Sequence, residues 1–426
     1  MSSSILLRNI ILSGSASDIL IRKGRIEKTG PAGFCGRWEL AGDVEIMDCT
    51  GKVAVPGFVN MHTHAGMALM RGIGEDMGFG DWLDHIWEVE KDIDEQTVYV
   101  ATKVACLEMI RTGTTTFSDQ YWYSPAARRA AREMGIRIAS GYVVLDLSNP
   151  AEADRQREQC LRWYEQDRQA AAEDGSIYQF AFHAVYSVSE QMMLWINNFA
   201  LSHGAGLHIH LSETKKEVED CKALHHGLSP VEYLDSLGIL GPHIRAAHTL
   251  WLSPRDVEIL GSRGVTCIHN INSNAKLSSG YRFLYKELRD AGANVCIGTD
   301  GCASSNNLDM LEAMKTAALF QKAWREDPSA MPLDELLRAG TLNGAGALGL
   351  DTGRLEEGAI ADISIVDTDN SFFLSPAPFL ANFIYAAHSD CIDSLICNGR
   401  FVMRHREIEG ERQVLDEART LLSATK

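Results

Sequence analysis

His62-Thr63-His64 closes an apolar run with two imidazoles two residues apart. On a strand that spacing turns both rings to one face, where two neutral nitrogens can share a metal ion. Taken alone, such a pair can also be two half-buried, hydrogen-bonded histidines. His210 and Asp300 add a third nitrogen and a carboxylate. Three histidines, one aspartate and an exchangeable water make a zinc or ferrous site. Zinc lowers the pKa of a bound water to ~7, and the carboxylate of Glu213, just past His210, is placed to move its proton. His208 shares the face of His210. The nearness of Glu213 favours His210 as the ligand and leaves His208 to packing or support. His85, His203, His225, His226, His243, His269, His388 and His405 lie mostly on helical or loop segments, or out of phase with the ligand face, and take no role.

These groups must be carried to one place. Eight apolar strand candidates run along the chain, at 53–61, 114–118, 137–145, 177–184, 206–211, 244–250, 265–270 and 294–299. Helical patterns at 125–135, 153–172, 189–203, 253–263 and 307–324 separate most of them. Alternating strand and helix predicts a parallel sheet, and eight units predict an α/β fold closed as a (β/α)8 TIM barrel rather than an open doubly wound sheet. Barrel enzymes react at the C-terminal ends of their strands. His62 and His64 end the first candidate, His183 the fourth and His210 with Glu213 the fifth. His248 ends the sixth, Asn270 and Asn272 the seventh, and Asp300 the eighth. Scattered structural histidines would have no reason to choose one rim.

The two ends of the chain look alike. A hairpin is expected at Ile19–Ile26 and another around Asn398-Gly399, with a closing helix over 413–425. They imply one small β domain formed by both termini (1–56 and 350–426, with that helix) around a catalytic barrel at 57–349. The chain has 426 residues, 45% hydrophobic and 23% charged, which excludes disorder and a small disulfide scaffold. With 40 Lys plus Arg against 57 Asp plus Glu, the net charge of −17 argues against nucleic acid or an anionic membrane as partner. Ten scattered cysteines (35, 49, 106, 160, 221, 267, 296, 302, 391, 397) without a C-x-x-C pair read as reduced thiols. No run approaches the ~18 apolar residues of a membrane helix, and no signal segment is evident, so a cytoplasmic location is expected.

Val55-Pro56-Gly57-Phe58-Val59-Asn60-Met61-His62-Thr63-His64 resembles the signature of the amidohydrolase superfamily. His210-Leu211-Ser212-Glu213-Thr214, the stretch His269-Asn270-Ile271-Asn272-Ser273-Asn274 and Gly298-Thr299-Asp300-Gly301-Cys302-Ala303-Ser304-Ser305 resemble its 5-methylthioadenosine/S-adenosylhomocysteine deaminase branch, a neighbour of the triazine hydrolases. The resemblance implies a (β/α)8 barrel with a small β-sandwich formed by both termini, and one metal ion, Zn2+ or Fe2+, held by His62, His64, His210 and Asp300. It implies hydrolytic deamination in which Glu213 moves the water proton to the ring nitrogen, Asp300 helps ammonia depart and His248 polarises the attacked centre. It also implies that Glu90, after Trp82-Leu83, holds the ribose hydroxyls and that His183 touches substrate, with Trp82 beside them. Related two-metal barrels bridge their ions with a modified lysine. Only Lys91 and Lys103 lie between His64 and His210, both in the helical stretch after the first strand, so one metal is expected.

Two departures bear on substrate. The family's arginine near the end of the third strand, which meets the carboxylate of S-adenosylhomocysteine, has no counterpart in Gly141-Tyr142-Val143-Val144-Leu145-Asp146; Arg137 and Arg155 are nearest. Ile271 stands where proline is usual and is expected to reshape the seventh-strand loop. The expected substrate is therefore 5-methylthioadenosine, adenosine or S-adenosylhomocysteine, the last least favoured. A free heterocycle (guanine, a pterin or an s-triazine) is the alternative, and a non-catalytic scaffold is disfavoured because the ligand set is complete. A homo-oligomer is left open.

Overall fold

The computed structural model describes residues 4–34, 44–174 and 176–424. Eight parallel strands follow one another around a barrel: Phe58–Thr63, Thr114–Asp119, Arg137–Ser140, Ile177–Phe182, Gly206–Leu211, Ile244–His248, Thr266–His269 and Asn294–Ile297. Most are buried end to end, as strands covered by helices outside and side chains inside must be. In the fifth and sixth strands His210 pairs with Ala247 and Leu211 with His248, which puts both histidines at one level. The eighth strand meets the first at the rim. There the Asp300 amide donates to the His62 carbonyl at 2.9 Å. Thr299 is clasped by the Asn60 amide through bonds of 2.7 and 3.1 Å. The fold is the (β/α)8 barrel that the alternating pattern predicts.

Two strand expectations need correction. The stretch 53–61 is two strands, Lys52–Pro56 and Phe58–Thr63, broken at Gly57. Lys52–Pro56 pairs with Ile363–Asp367 outside the barrel, and Gly57 hands the chain inward where a Cβ would lie 2.4 Å from the Thr115 methyl. The stretch 137–145 breaks at Gly141, where the Gln179 carbonyl oxygen comes so near that a Cβ would lie 1.7 Å from it and only glycine fits; strand continues only at Val143–Val144. Composition reports apolar runs but not where a neighbouring backbone comes too close for a side chain.

Helices cover the barrel outside and start where the chain supplies caps. Ser253 with Asp256 and Ser229 with Glu232 form capping boxes, each followed by proline in the first turn. Both ends of the chain build one eight-stranded sheet: Ser4–Leu12, Ser15–Arg22, Arg25–Pro31, Val44–Asp48 and Lys52–Pro56 from the front, Ile363–Asp367, Ile392–Cys397 and Arg400–Met403 from the back. It has a core of its own, including Ile5, Leu7, Ile19, Ile363 and Ile396. Asn398 and Gly399 both take positive φ, 55° and 71°, the turn that suits a two-residue hairpin. Arg137, under the barrel, reaches Asp362 at 2.8 Å and joins the two parts through a buried ion pair. The closing helix Glu411–Ala424 packs on Glu95–Arg111 through Lys103 and Glu417, 3.2 Å apart. The nine described cysteines are free and buried, while Cys35 lies outside the described residues. Among the described residues no helix is long and apolar enough to cross a membrane.

Candidate metal centre and substrate cleft

The first strand delivers His62 and His64 to the C-terminal rim with ring centroids 4.8 Å apart. The Nδ1 of His64 meets the Gln120 carbonyl at 2.6 Å, and that of His210 meets the His183 carbonyl at 2.9 Å. A carbonyl only accepts, so both rings carry their proton on Nδ1 and present a bare Nε2. Those two Nε2 atoms stand 3.3 Å apart, and Oδ1 of Asp300 lies 3.2 Å from the Nε2 of both His62 and His64. Two lone pairs facing each other in a buried place repel until a cation lies between them. His62 Nε2 is likewise buried with no hydrogen-bond partner. Two groups of candidate ligand atoms, His62 with His64 and His210, and His62 with His248 and Asp300, each gather within 4.8 Å. Nitrogen and carboxylate donors so arranged fit one divalent transition ion.

His208 is not in that cluster. Its Nε2 lies 2.9 Å from Nδ1 of His62, and its Nδ1 lies 3.2 Å from the Ser118 hydroxyl. To offer Nε2 to a cation, His62 must donate its Nδ1 proton to His208. The ring therefore sets the tautomer of His62 and supports the site from behind.

Glu213 follows a left-handed turn at Ser212, φ 52°, which swings its carboxylate back over the rim to 3.5 Å from Nε2 of His248. Burial pushes the Glu213 carboxyl well above its ordinary value, and the charges of Asp300 and Glu217 add to the rise. His248 accepts at Nδ1 from the Asn274 amide at 3.0 Å, so its proton sits on Nε2, facing Glu213. Burial pushes His248 down to about 3, which keeps the ring neutral.

These groups floor a cleft enclosing about 650 Å³, open solvent included. Its wall holds Trp82, Trp87, His183, Tyr186 and Glu90. Glu90 is the last residue of helix Phe79–Glu90, and its Oε1 is buried without a partner. Burial raises its carboxyl above the usual value against the hydrogen bonds of Tyr121 and Trp122. Trp82 donates its indole N–H to the Ala303 carbonyl at 3.3 Å. His183 meets the Ser187 hydroxyl through Nδ1 at 2.7 Å, leaving Nε2 to the cleft.

Every site residue expected from the sequence is thus at this rim or in this cleft. Ile271 takes the first position of a short helix, Ile271–Lys276, with its side chain buried, a position that proline also tolerates. Neither lysine enters the site, since Lys103 pairs with Glu417 and Lys91 with Glu88. Sequence reasoning missed Gln120, Asn274, Ser187 and Glu217. Gln120 acts through a backbone carbonyl, for which no residue type is a signal, whereas Glu217 stands in a recognisable helix-cap pattern.

A parallel barrel that gathers histidine nitrogens and carboxylates at its C-terminal rim is the frame of a metal-dependent hydrolase. The chain belongs to the amidohydrolase family, whose pattern matches residues 53–402, and it is a hydrolytic aminohydrolase. A 5′-deoxyadenosine deaminase of Methanoregula boonei is 41% identical over 428 residues, covering 98% of this chain and 94% of the relative. A 5-methylthioadenosine/S-adenosylhomocysteine deaminase of Thermococcus sibiricus is 36% identical over 411 residues, 94% of each. The crystal structure of an adenosine deaminase from Xanthomonas campestris, with bound zinc, matches with a TM-score of 0.88 at 29% identity, covering 99% of this chain and 98% of that one.

Proposed function

We propose that the protein deaminates an adenine nucleoside by hydrolysis, giving the hypoxanthine nucleoside and ammonia. The observation that carries this reading is one cleft with converging bare nitrogens at its floor and an unpartnered carboxylate oxygen, on Glu90, in its wall. Relatives that are deaminases of 5′-deoxyadenosine and of 5-methylthioadenosine/S-adenosylhomocysteine support it. His62, His64, His210 and Asp300 would hold one ion, zinc or ferrous iron, whose Lewis acidity makes water nucleophilic at neutral pH. Glu213, whose buried carboxyl readily holds a proton, takes one from the attacking water and delivers it to N1 of the purine as C6 is attacked. His248 directs its Nε2 proton at the attacked centre. Asp300 passes the second water proton to the amino group, which leaves as ammonia, and the water oxygen stays on C6. Glu90 accepts from the ribose hydroxyls, with His183 and Trp82 along the wall.

The 5′ end of the substrate is best uncharged. Arg137 is buried against Asp362, and Arg155, beside Glu90 in an adjoining cleft, pairs with Glu152 at 2.6 Å. A missing charge-assisted contact costs about 1.5–3 kcal/mol, tenfold or more in affinity. 5′-Deoxyadenosine, 5-methylthioadenosine and adenosine should therefore be turned over faster than S-adenosylhomocysteine. Ultraviolet absorbance of zinc-loaded protein with each of the four tests this directly. Conversion of adenine to hypoxanthine in that order is expected, and no ammonia from any of them would overturn the reading.

A further inference from the structure

Thr214-Lys215-Lys216-Glu217 has the spacing of a capping box at the start of helix Lys215–Leu224. Half of the box is ordinary, for the Thr214 hydroxyl accepts from the Glu217 amide at 3.0 Å. The carboxylate reaches beyond the cap. Its Oε1 accepts from the Ser212 amide at 2.8 Å and its Oε2 from the Glu213 amide at 2.7 Å. The group is buried, so these bonds are not diluted by water. Ser212 needs such support because its left-handed backbone is unfavourable for a residue with a side chain. The other face of the same turn holds a second loop: the Ser212 carbonyl accepts from the amides of Leu250 and Trp251 at 3.1 and 2.9 Å. That loop begins at His248 and Thr249, both also at positive φ, 72° and 42°.

We propose that Glu217 is a positioning residue that registers the loops carrying Glu213 and His248 against each other. It touches neither substrate nor metal ligand. It fixes the Ser212–Glu213 peptide, whose N–H it holds and from whose carbonyl the loop after His248 hangs, so that the side chains of Glu213 and His248 meet at 3.5 Å. Small displacements at such a pair slow the reaction without weakening substrate binding.

The inference rests on Glu213 as the proton carrier, and its test separates the two. Glu217→Gln sets an amide donor against a backbone donor, and Glu217→Asp keeps the charge but falls a methylene short. In both, kcat should drop about tenfold or more while KM stays within about twofold and the metal content of the purified protein is unchanged. Thr214→Ala removes the helix cap alone; it should lower the melting temperature yet keep kcat. Wild-type kcat in either Glu217 variant, or an equal loss of kcat in Thr214→Ala, overturns the proposal. If neither Glu217 variant folds, hydrogen exchange of the wild-type protein decides: the Ser212 and Glu213 amides should be as protected as the strand before them, and fast exchange refutes the clamp. Glu213→Gln belongs in the same series. Activity retained there defeats the assignment of Glu213 itself, whereas its loss beside an unaffected Glu217→Gln defeats only the clamp.

Discussion

Replacing Glu90 with glutamine should weaken catalysis and strengthen the fold at once. The Oε1 of Glu90 is buried without a partner, and burial raises the carboxyl above its ordinary range, so the ionised group costs stability at neutral pH. Glutamine keeps an acceptor for Tyr121 and Trp122 but removes the buried charge. A neutral hydrogen bond contributes about 0.5–1.5 kcal/mol against about 1.5–3 for one to a charged group, so two ribose hydroxyls together lose about 2–3 kcal/mol. That is a ~30- to 150-fold fall in kcat/KM for adenosine. A substrate lacking both hydroxyls, 2′,3′-dideoxyadenosine, should be turned over equally by both proteins. The melting temperature should rise at pH 7. Because the folded carboxyl is raised, its penalty exists above the unfolded value, and the gain should fade as pH falls through the ordinary carboxylate range. Steady-state kinetics on the two substrates and melts at pH 7 and pH 4 provide the check. An equal loss on the dideoxy substrate, or a lower melting temperature at pH 7, would refute the reasoning.

Glu213→Gln should cut kcat by about 10²- to 10⁴-fold with metal retained, since it removes the group that carries the water proton; single-turnover rates and elemental analysis read this out. His208→Ala should weaken metal binding by about 10- to 100-fold, measured by competition with a chelator, because His62 loses the partner of its Nδ1. Arg137→Met leaves Asp362 buried without its cation and should cost about 3–5 kcal/mol by denaturant unfolding, with no change in KM for a folded sample.

Much of the candidate site was legible in the sequence because each candidate ligand sits at or just past a strand end, and strand ends are what an alternating pattern of apolar runs reveals. His62, His64, His210 and Asp300 are of this kind. Glu90 was harder, because it lies at a helix end and its side chain reads as surface until the cleft closes over it. The helper groups were mostly hidden. The Gln120 carbonyl, which orients His64, carries no residue-type signal, and Glu217 reads as an ordinary cap until its carboxylate is seen on the two preceding amides.

The sequence by itself determined the barrel, the identity of the candidate ligands and the common rim, since periodicity and spacing are local properties that the backbone must obey. Tertiary structure decided the rest. The need for glycine at the strand breaks, Gly57 and Gly141, follows from the approach of Thr115 and Gln179, both remote in sequence and beyond any local pattern. The ring nitrogens that face the centre follow from which carbonyls and rings the neighbouring strands bring up behind them. Tautomer, charge and reach depend on partners fixed only when the barrel closes. The chemistry was therefore present in the chain, but its orientation came from the fold.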